Sequence, residues 1–251
     1  MVKKNKLSLI ITNFNGEPFI PRLSVWFKEA IDYLENVIIV DDCSTDGSVE
    51  LINKLMPTSQ FLLLKTDVNS GRPSIPRNIG LKHISGDRVL FMDIDDLVPV
   101  EYIKFLQSFE NKNITSGTKY RTDSLSNVSF NKIDFTKIKI ISSGLQKYKN
   151  YVCLSGASLP IDLAKSEEFA NEPLEDWAYF YNIMSKDKNI NIVKFVQCPI
   201  VYYSKVTLSP NKYKQLIRLY KKLGLFGLLV NLVLYLKLRF IEKGLEFNIE
   251  K

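Results

Sequence analysis

Three carboxylates within four positions, Asp93, Asp95 and Asp96, close the apolar run Arg88-Val89-Leu90-Phe91-Met92. The run reads as a buried strand, and aspartate is depleted in strands while like charges repel, so folding alone does not call for three at its end. A hard divalent cation, Mg2+ or Mn2+, relieves that repulsion, because it prefers oxygen ligands and commonly shares them with a substrate's phosphates. The carboxyl edge of the strands is also where open α/β sheets bind nucleotides. The same stretch can be read as a polar turn entering a helix, with Asp96 as its N-cap.

The rest of the first hundred residues supplies such a sheet. Residues 7–12 are near-continuously apolar, as a parallel strand buried on both faces would be. Leu23, Trp26, Phe27, Ala30, Ile31 and Leu34 then recur at helical spacing over residues 21–34. Strands are expected at 37–40, 61–64 and 89–92, with helices at 47–56 and at 76–84, the latter stopped by Gly86. This alternation predicts a mainly parallel sheet in an α/β fold. Residues 100–150 are less regular: a helix over 102–109, a polar, strand-poor stretch over 111–137 and a short strand at 138–141. A second half opens at 152–159 and continues with a helix at 175–184 and strands at 192–196 and 200–203. Beyond Pro210 only helices are expected.

At 251 residues, 45% hydrophobic and 24% charged, the chain has the make-up of an ordinary globular protein and not of a disordered one. Cys43, Cys153 and Cys198 are odd in number and lack metal-ligand spacing, which reads as reduced thiols. The first eleven residues mimic a signal peptide, but the apolar run is too short and no small-residue cleavage site follows. The formal charge of +7 is uneven. From Lys205 onward ten basic residues face only Glu242, Glu246 and Glu250, which points to an anionic surface and not to nucleic acid.

Three strand ends carry polar residues that a parallel sheet would bring to one edge: Thr12-Asn13-Phe14-Asn15, Asp41-Asp42-Cys43-Ser44-Thr45-Asp46-Gly47-Ser48, and the Asp93 cluster. Asp42 could accept from a base N–H and Phe14 could stack on the base, although Ser44, Asp46 and Gly47 also make an ordinary turn and cap. In the loop from Asn69 to Asn78, Arg72 and Arg77 suit phosphate oxygens. A basic residue in a first helical turn opposes the helix dipole, so capping does not explain Arg77. Either arginine taken singly also reads as a solvated one. Glu175-Asp176-Trp177 opens a helix after Pro173-Leu174, where the dipole favours acidic residues and where a carboxylate could be the general base for an acceptor hydroxyl.

Taken in order and at their gaps, Ile11-Thr12-Asn13-Phe14-Asn15, Val40 to Ser48, Pro76-Arg77-Asn78-Ile79-Gly80-Leu81, Phe91 to Asp96 and Glu175-Asp176-Trp177 resemble the family 2 glycosyltransferases of bacteria. Those enzymes have a GT-A fold, Rossmann-like with a mainly parallel central sheet, and usually take UDP-sugars. The resemblance implies a catalytic domain over 1–208, with a nucleotide-binding half 1–99 and an acceptor-binding half 100–208, then a tail 209–251 of amphipathic helices. It implies that Thr12, Phe14 and Asp42 hold the uracil, with Arg77 and Asp93 near the ribose and diphosphate and Asn15 and Asn78 completing the donor-binding set. Asp95 would hold Mn2+ or Mg2+ through the family's DxD motif, with Asp96 sharing that role in some relatives. Asp176 would take the proton of the acceptor hydroxyl as it attacks C1 with inversion, and Glu175 and Trp177 would face the acceptor. The family's Tyr-Tyr-x-Arg appears here as Tyr202-Tyr203-Ser204-Lys205, which puts the point charge of Lys205 in place of an arginine fork. Residues 154–158 resemble the family's second half loosely. Some relatives add a late histidine ligand; the single histidine here, His83, precedes the fourth strand and is given no role.

Residues 223–236 are apolar except for Asn231, and at 14 residues they are shorter than the ~20 that a spanning helix needs. With Lys221, Lys222, Lys237 and Arg239 flanking, the stretch 221–243 suits a helix lying at an anionic membrane surface. The alternative is a helix packed on the catalytic domain or in a homodimer. The expectation is a cytoplasmic enzyme, peripheral on the inner face of a bacterial plasma membrane. It would transfer a sugar from a UDP-sugar to a glycan or lipid-linked acceptor of capsule, teichoic acid or similar surface polysaccharide. A sugar-phosphate nucleotidyltransferase is the first alternative, but Asn13-Phe14-Asn15-Gly16-Glu17 lacks that class's Gly-rich, lysine-bearing loop. A non-catalytic nucleotide-sugar-binding module is the second.

Overall fold

The computed structural model describes residues 4–56, 59–122, 130, 133–147 and 149–203. Lys205, the segment 221–243 and the whole tail 209–251 lie outside those residues. In chain order the elements are β1 (Leu7–Asn13), α1 (Ile20–Ala30), β2 (Asn36–Asp41), α2 (Ser48–Leu55), β3 (Phe61–Lys65), α3 (Ser74–His83), β4 (Arg88–Asp93) and α4 (Val100–Ser108). They continue with β5 (Ile114–Thr122), β6 (Asp134–Ile141), α5 (Ser143–Gln146), β7 (Ser158–Pro160), α6 (Ile161–Lys165), α7 (Glu175–Lys186) and β8 (Ile192–Tyr203).

All eight strands join one sheet of order β3-β2-β1-β4-β7-β5-β8-β6. β3, β2, β1 and β4 are parallel neighbours. β7 runs antiparallel to both β4 and β5, so β5 and its parallel neighbour β8 regain the direction of the first four, and β6 closes the edge antiparallel. The carboxyl ends of β1, β2 and β4 therefore share one edge, with Asn13 beside Asp41 and Thr12 beside Asp93. The two expected halves are thus continuous through a single sheet.

Strand alternation sends apolar residues into two cores, one on each face. Leu7, Leu9 and Ile11 of β1 pack with Leu23, Trp26 and Phe27 of α1 and Ile103 and Leu106 of α4. Ile10, with Val89 and Phe91 of β4, packs with Leu81 of α3 and with Tyr179, Phe180 and Ile183 of α7. Helix α3 lies close on β1: a Cβ at Gly80 would sit 2.7 Å from Ile10 Cγ2, so glycine sets the approach that seats the neighbouring Arg77.

Two expectations are corrected in the second half. The polar stretch after residue 111 contains β5, an interior strand. Its buried polar side chains are paired: Tyr102 Oη donates to Thr115 Oγ1 at 2.9 Å, and Ser116 Oγ accepts from the Cys153 N–H at 2.9 Å. Tertiary pairing has overridden weak strand propensity there. The strands expected at 192–196 and 200–203 are one, with a bulge at the expected break: the register jumps from Ser116↔Lys194 to Thr118↔Pro199. Gly117 lies inside the jump, where a Cβ would come within 2.5 Å of the Cys198 carbonyl oxygen.

Candidate active site

The edge begins with Thr12 and Asp93, paired across β1 and β4, where Thr12 Oγ1 donates to Asp93 Oδ1 at 2.7 Å. One step on, Asn13 Nδ2 donates to Asp41 Oδ1 at 2.6 Å and reaches Ser44 and Ser48 hydroxyls at 3.2 and 3.1 Å. Asp41, fully buried, also accepts the Ser44 N–H at 3.0 Å. Asn15 ties the two loops together by accepting the Thr45 N–H at 2.8 Å, in a left-handed backbone conformation (φ 50°). Cys43 (φ 60°) and Leu174 (φ 64°) share that strained region, Cys43 directly after Asp42 and Leu174 directly before Glu175.

A pocket of about 180 Å3 opens between these loops, lined by Thr12, Asn13, Phe14, Asp42 and the segment from Asn69 through Gly71, Arg72 and Pro73 to Pro76. Phe14, one of the lining residues, is half exposed. Asp42 is buried, and its carboxylate accepts from the Ser70 N–H at 3.0 Å, from Ser70 Oγ at 2.8 Å and from Thr66 Oγ1 at 3.1 Å. The loop of residues 66–70 therefore orients this side chain before any ligand arrives.

Beyond the pocket stands the acidic cluster. Burial, and then repulsion from Asp93, pushes Asp95 up to about 6. Asp96 is raised further by burial and by both neighbouring aspartates, despite the hydroxyl of Ser155 that donates to its Oδ2. Ser155 also accepts the Asp93 backbone N–H at 3.1 Å, so one side chain links the end of β4 to the Asp96 carboxylate. Behind the turn, Arg22 Nη2 donates to the Asp95 carbonyl at 3.1 Å. These groups fit a divalent cation: three carboxylates lie within four positions at the end of β4, and burial with mutual repulsion disfavours the charged form of Asp95 and Asp96. Asp95 is half-buried while Asp96 is only 3% exposed, so Asp95 is the more accessible carboxylate. Among the described residues no three acidic, histidine or cysteine groups converge as a complete site. A cation here would take its remaining oxygens from diphosphate and water.

Arg77 joins this cluster to the second half of the chain. Its guanidinium, 3% exposed, meets Asp93 Oδ1 at 2.9 Å and Glu175 Oε1 at 3.0 Å, and lies 5.4 Å from the centroid of the Phe169 ring. Burial alone would lower its pKa, but the two carboxylates outweigh it and hold the arginine above its ordinary value. The expected phosphate ligand is thus engaged by protein carboxylates, and Glu175, expected to face the acceptor, is its partner. Asn78 likewise differs from expectation. Its amide is committed at both ends to the Phe169 backbone, at 2.8 Å each way, which fastens α3 to the segment before α7. Next to Glu175, Asp176 Oδ2 accepts from Asn150 Nδ2 at 2.8 Å, and Trp177 Nε1 donates to the Gln146 carbonyl at 2.5 Å.

The structure therefore brings Thr12, Phe14, Asp42, Asp93, Asp95, Asp96, Arg77, Glu175 and Asp176 to one edge of the sheet. Lys205 lies outside the described residues, though β8 ends at Tyr203 on the same edge. Ser70, Ser155 and Asn150 were not singled out by sequence. Each acts through a contact between segments at least 26 positions apart, which no local pattern announces.

The family model described as "Glycosyl transferase family 2" matches residues 8–155. An uncharacterized glycosyltransferase of Haemophilus influenzae is 26% identical over 254 residues, 94% of this chain and 97% of that protein. The Escherichia coli UDP-Glc:alpha-D-GlcNAc-diphosphoundecaprenol beta-1,3-glucosyltransferase WfaP is 30% identical over 195 residues, 72% of this chain and 71% of its own. Staphylococcus aureus TarS 1–349, solved in complex with UDP-GlcNAc, matches in fold with a TM-score of 0.64 and 22% identity, over 85% of this chain and 65% of that one. In sequence the match to TarS, a poly(ribitol-phosphate) beta-N-acetylglucosaminyltransferase, covers 41% of this chain and only 18% of TarS.

Proposed function

The chain belongs to glycosyl transferase family 2, and from that premise we propose that it is an inverting, metal-dependent transferase moving a sugar from a UDP-sugar to a hydroxyl of a cell-envelope glycan or lipid-linked acceptor. The observation that carries the reading is Arg77, whose contacts with Asp93 and Glu175 hold the acidic cluster and the helix bearing Asp176 together in one site. The UDP-Glc donor and diphosphoundecaprenol-linked acceptor of WfaP, and the poly(ribitol-phosphate) acceptor of TarS, support the donor and acceptor classes.

On this reading Phe14 stacks on the uracil and Asp42, oriented by Ser70, accepts its N–H. Thr12 and Asp93 lie toward the ribose. Asp95 would hold Mn2+ or Mg2+, with Asp96 and Ser155 supporting its turn, and the cation would stabilise the charge on the departing diphosphate. Asp176 takes the proton of the acceptor hydroxyl as that oxygen attacks C1 from the face opposite the diphosphate. The C1–oxygen bond to UDP breaks with its electron pair on UDP, and the anomeric centre is inverted. The basic, apolar stretch 221–243 would hold the enzyme at the inner face of the membrane, beside a lipid-linked acceptor.

Calorimetric titration of UDP into the full chain, with and without Mn2+, tests the donor site. Binding is expected to require the metal and to disappear in Asp95→Ala. Absence of UDP binding under both conditions overturns the reading.

A further inference from the structure

The segment between α5 and Val152 carries no recognisable motif, yet it supplies the hydrogen bond to the carboxylate assigned as the base. Asn150 Nδ2 donates to Asp176 Oδ2 at 2.8 Å. Asn150 Oδ1 in turn accepts from Gln146 Nε2 at 3.0 Å and from the Val152 N–H at 3.2 Å. Gln146 Oε1 accepts the Tyr151 N–H at 3.0 Å, and Gln146 itself is fully buried.

Amide oxygens and nitrogens are often interchangeable on geometry alone, but here backbone groups fix both. The N–H groups of Val152 and Tyr151 can only donate, so the ends of Asn150 and Gln146 that meet them must be oxygens. Asn150 then has only its NH2 to present to Asp176. The links run one way, from Tyr151 through Gln146 and Asn150 to Asp176, and bonds aligned in this manner polarise one another. The Gln146 carbonyl also accepts from the Trp177 indole, which ties the first turn of α7 to the same segment. Among the described residues, Oδ2 of Asp176 has this donor and Oδ1 has none.

We propose that Asn150 is a positioning residue for the transfer step: it occupies Oδ2 of Asp176, so that Oδ1 faces the acceptor hydroxyl, and Gln146 fixes Asn150 in that orientation. The inference rests on Asp176 being the base. Asn150→Asp tests it, because aspartate keeps the shape and both accepted bonds and replaces the donated N–H with a carboxylate oxygen that repels Asp176.

With UDP-glucose and UDP-N-acetylglucosamine as donors and water as acceptor, kcat for UDP release by Asn150→Asp is expected to fall about 10–100-fold, a loss typical of a displaced reacting group, with the donor KM unchanged. In an Asp176→Asn background the same substitution should have no further effect, since the two residues act as one unit. Wild-type kcat in folded Asn150→Asp overturns the proposal. Failure of the underlying reading looks different: Asp176→Asn would then itself keep turnover.

A measurement independent of turnover is the side-chain 15N–1H pair of Asn150 in the NMR spectrum of the full chain. It should shift in Asp176→Ala, and an unmoved pair overturns the contact. Gln146→Met, which removes the donation to Asn150 without adding a buried charge, is the second variant should Asn150→Asp not fold; a smaller kcat loss at constant KM is expected, and unchanged kcat counts against the proposal.

Discussion

At the end of β4, Asp93, Asp95 and Asp96 crowd together, and burial with mutual repulsion drives Asp95 up to about 6 and Asp96 higher. At the start of α7, Glu175 and Asp176 are also adjacent carboxylates, but each already meets a donor, the guanidinium of Arg77 and the amide of Asn150. In the first cluster Asp95 and Asp96 stay raised although Arg77 meets Asp93 and Ser155 meets Asp96, and a cation from outside gains most where repulsion between carboxylates persists. The second is satisfied from within, as suits a group that must stay in one place through a reaction. Arg77 touches both, through Asp93 on one side and Glu175 on the other, so the plans are separate while the geometry is shared.

The largest effect should come from breaking the satisfied side. Asp176→Asn preserves shape and is expected to lower turnover of a UDP-sugar by roughly 10^2–10^4-fold, the range for removing a general base, while calorimetric UDP affinity stays as it was. Equal losses of turnover and UDP affinity would mean that the two clusters are not separate in function. Arg77→Met removes the shared cation and leaves Asp93 and Glu175 without it. A buried pair broken in this way costs about 3–5 kcal/mol. For a chain of this size that corresponds to a melting temperature lower by roughly 6–20 °C, read by thermal denaturation. A variant that melts like the wild type but loses UDP binding would instead return Arg77 to the role of phosphate ligand.

How much of this was legible beforehand follows from the range of the interactions. Residues 7–93 were readable because each strand is a continuous apolar run and each helix a 3.6-residue stripe, so element types and order emerged with boundaries off by a few residues. The site's charged residues were readable because Asp93, Asp95, Asp96 and Asp176 are poorly explained, or only half explained, by local structure. β5 was not: Thr115, Ser116 and Gly117 belong in the middle of a sheet only because Tyr102, Cys153 and the bulged β8 receive them. The partners of the site residues were hidden for the same reason. Nothing near Asn78 in sequence indicates that its amide closes on Phe169, 91 positions away, and the arginine that looked like a phosphate ligand gave no sign of its two carboxylate partners.

The cluster after β4 predicts a response that the carboxylates opening α7 should lack. Mn2+ at about a hundred times its dissociation constant should stabilise the wild-type chain by about 2.7 kcal/mol, raising its melting temperature by several degrees. The rise should vanish in Asp95→Ala and persist in Asn150→Asp. A rise of the same size in Asp95→Ala would place the cation elsewhere.

The smallest expected effect is at Ser155, and it separates the clusters most finely. Its hydroxyl donates to Asp96 Oδ2 and accepts the Asp93 N–H at 3.1 Å, so Ser155→Ala removes one donor from a carboxylate already raised by burial and leaves a backbone N–H without that acceptor. Losing a buried partner of this kind costs about 1–3 kcal/mol, visible as a modest fall in melting temperature without metal. Positive charge supplied to the cluster should offset part of the lost donation, so the deficit of Ser155→Ala should shrink when Mn2+ is present. Gln146→Met, which weakens the amide chain behind Asp176, should show the same deficit with and without the metal. Metal-sensitive loss at Ser155 and metal-insensitive loss at Gln146 is the pattern expected of two clusters on different electrostatic plans; equal sensitivity at both would mean that Arg77 couples them so tightly that they titrate and bind as one.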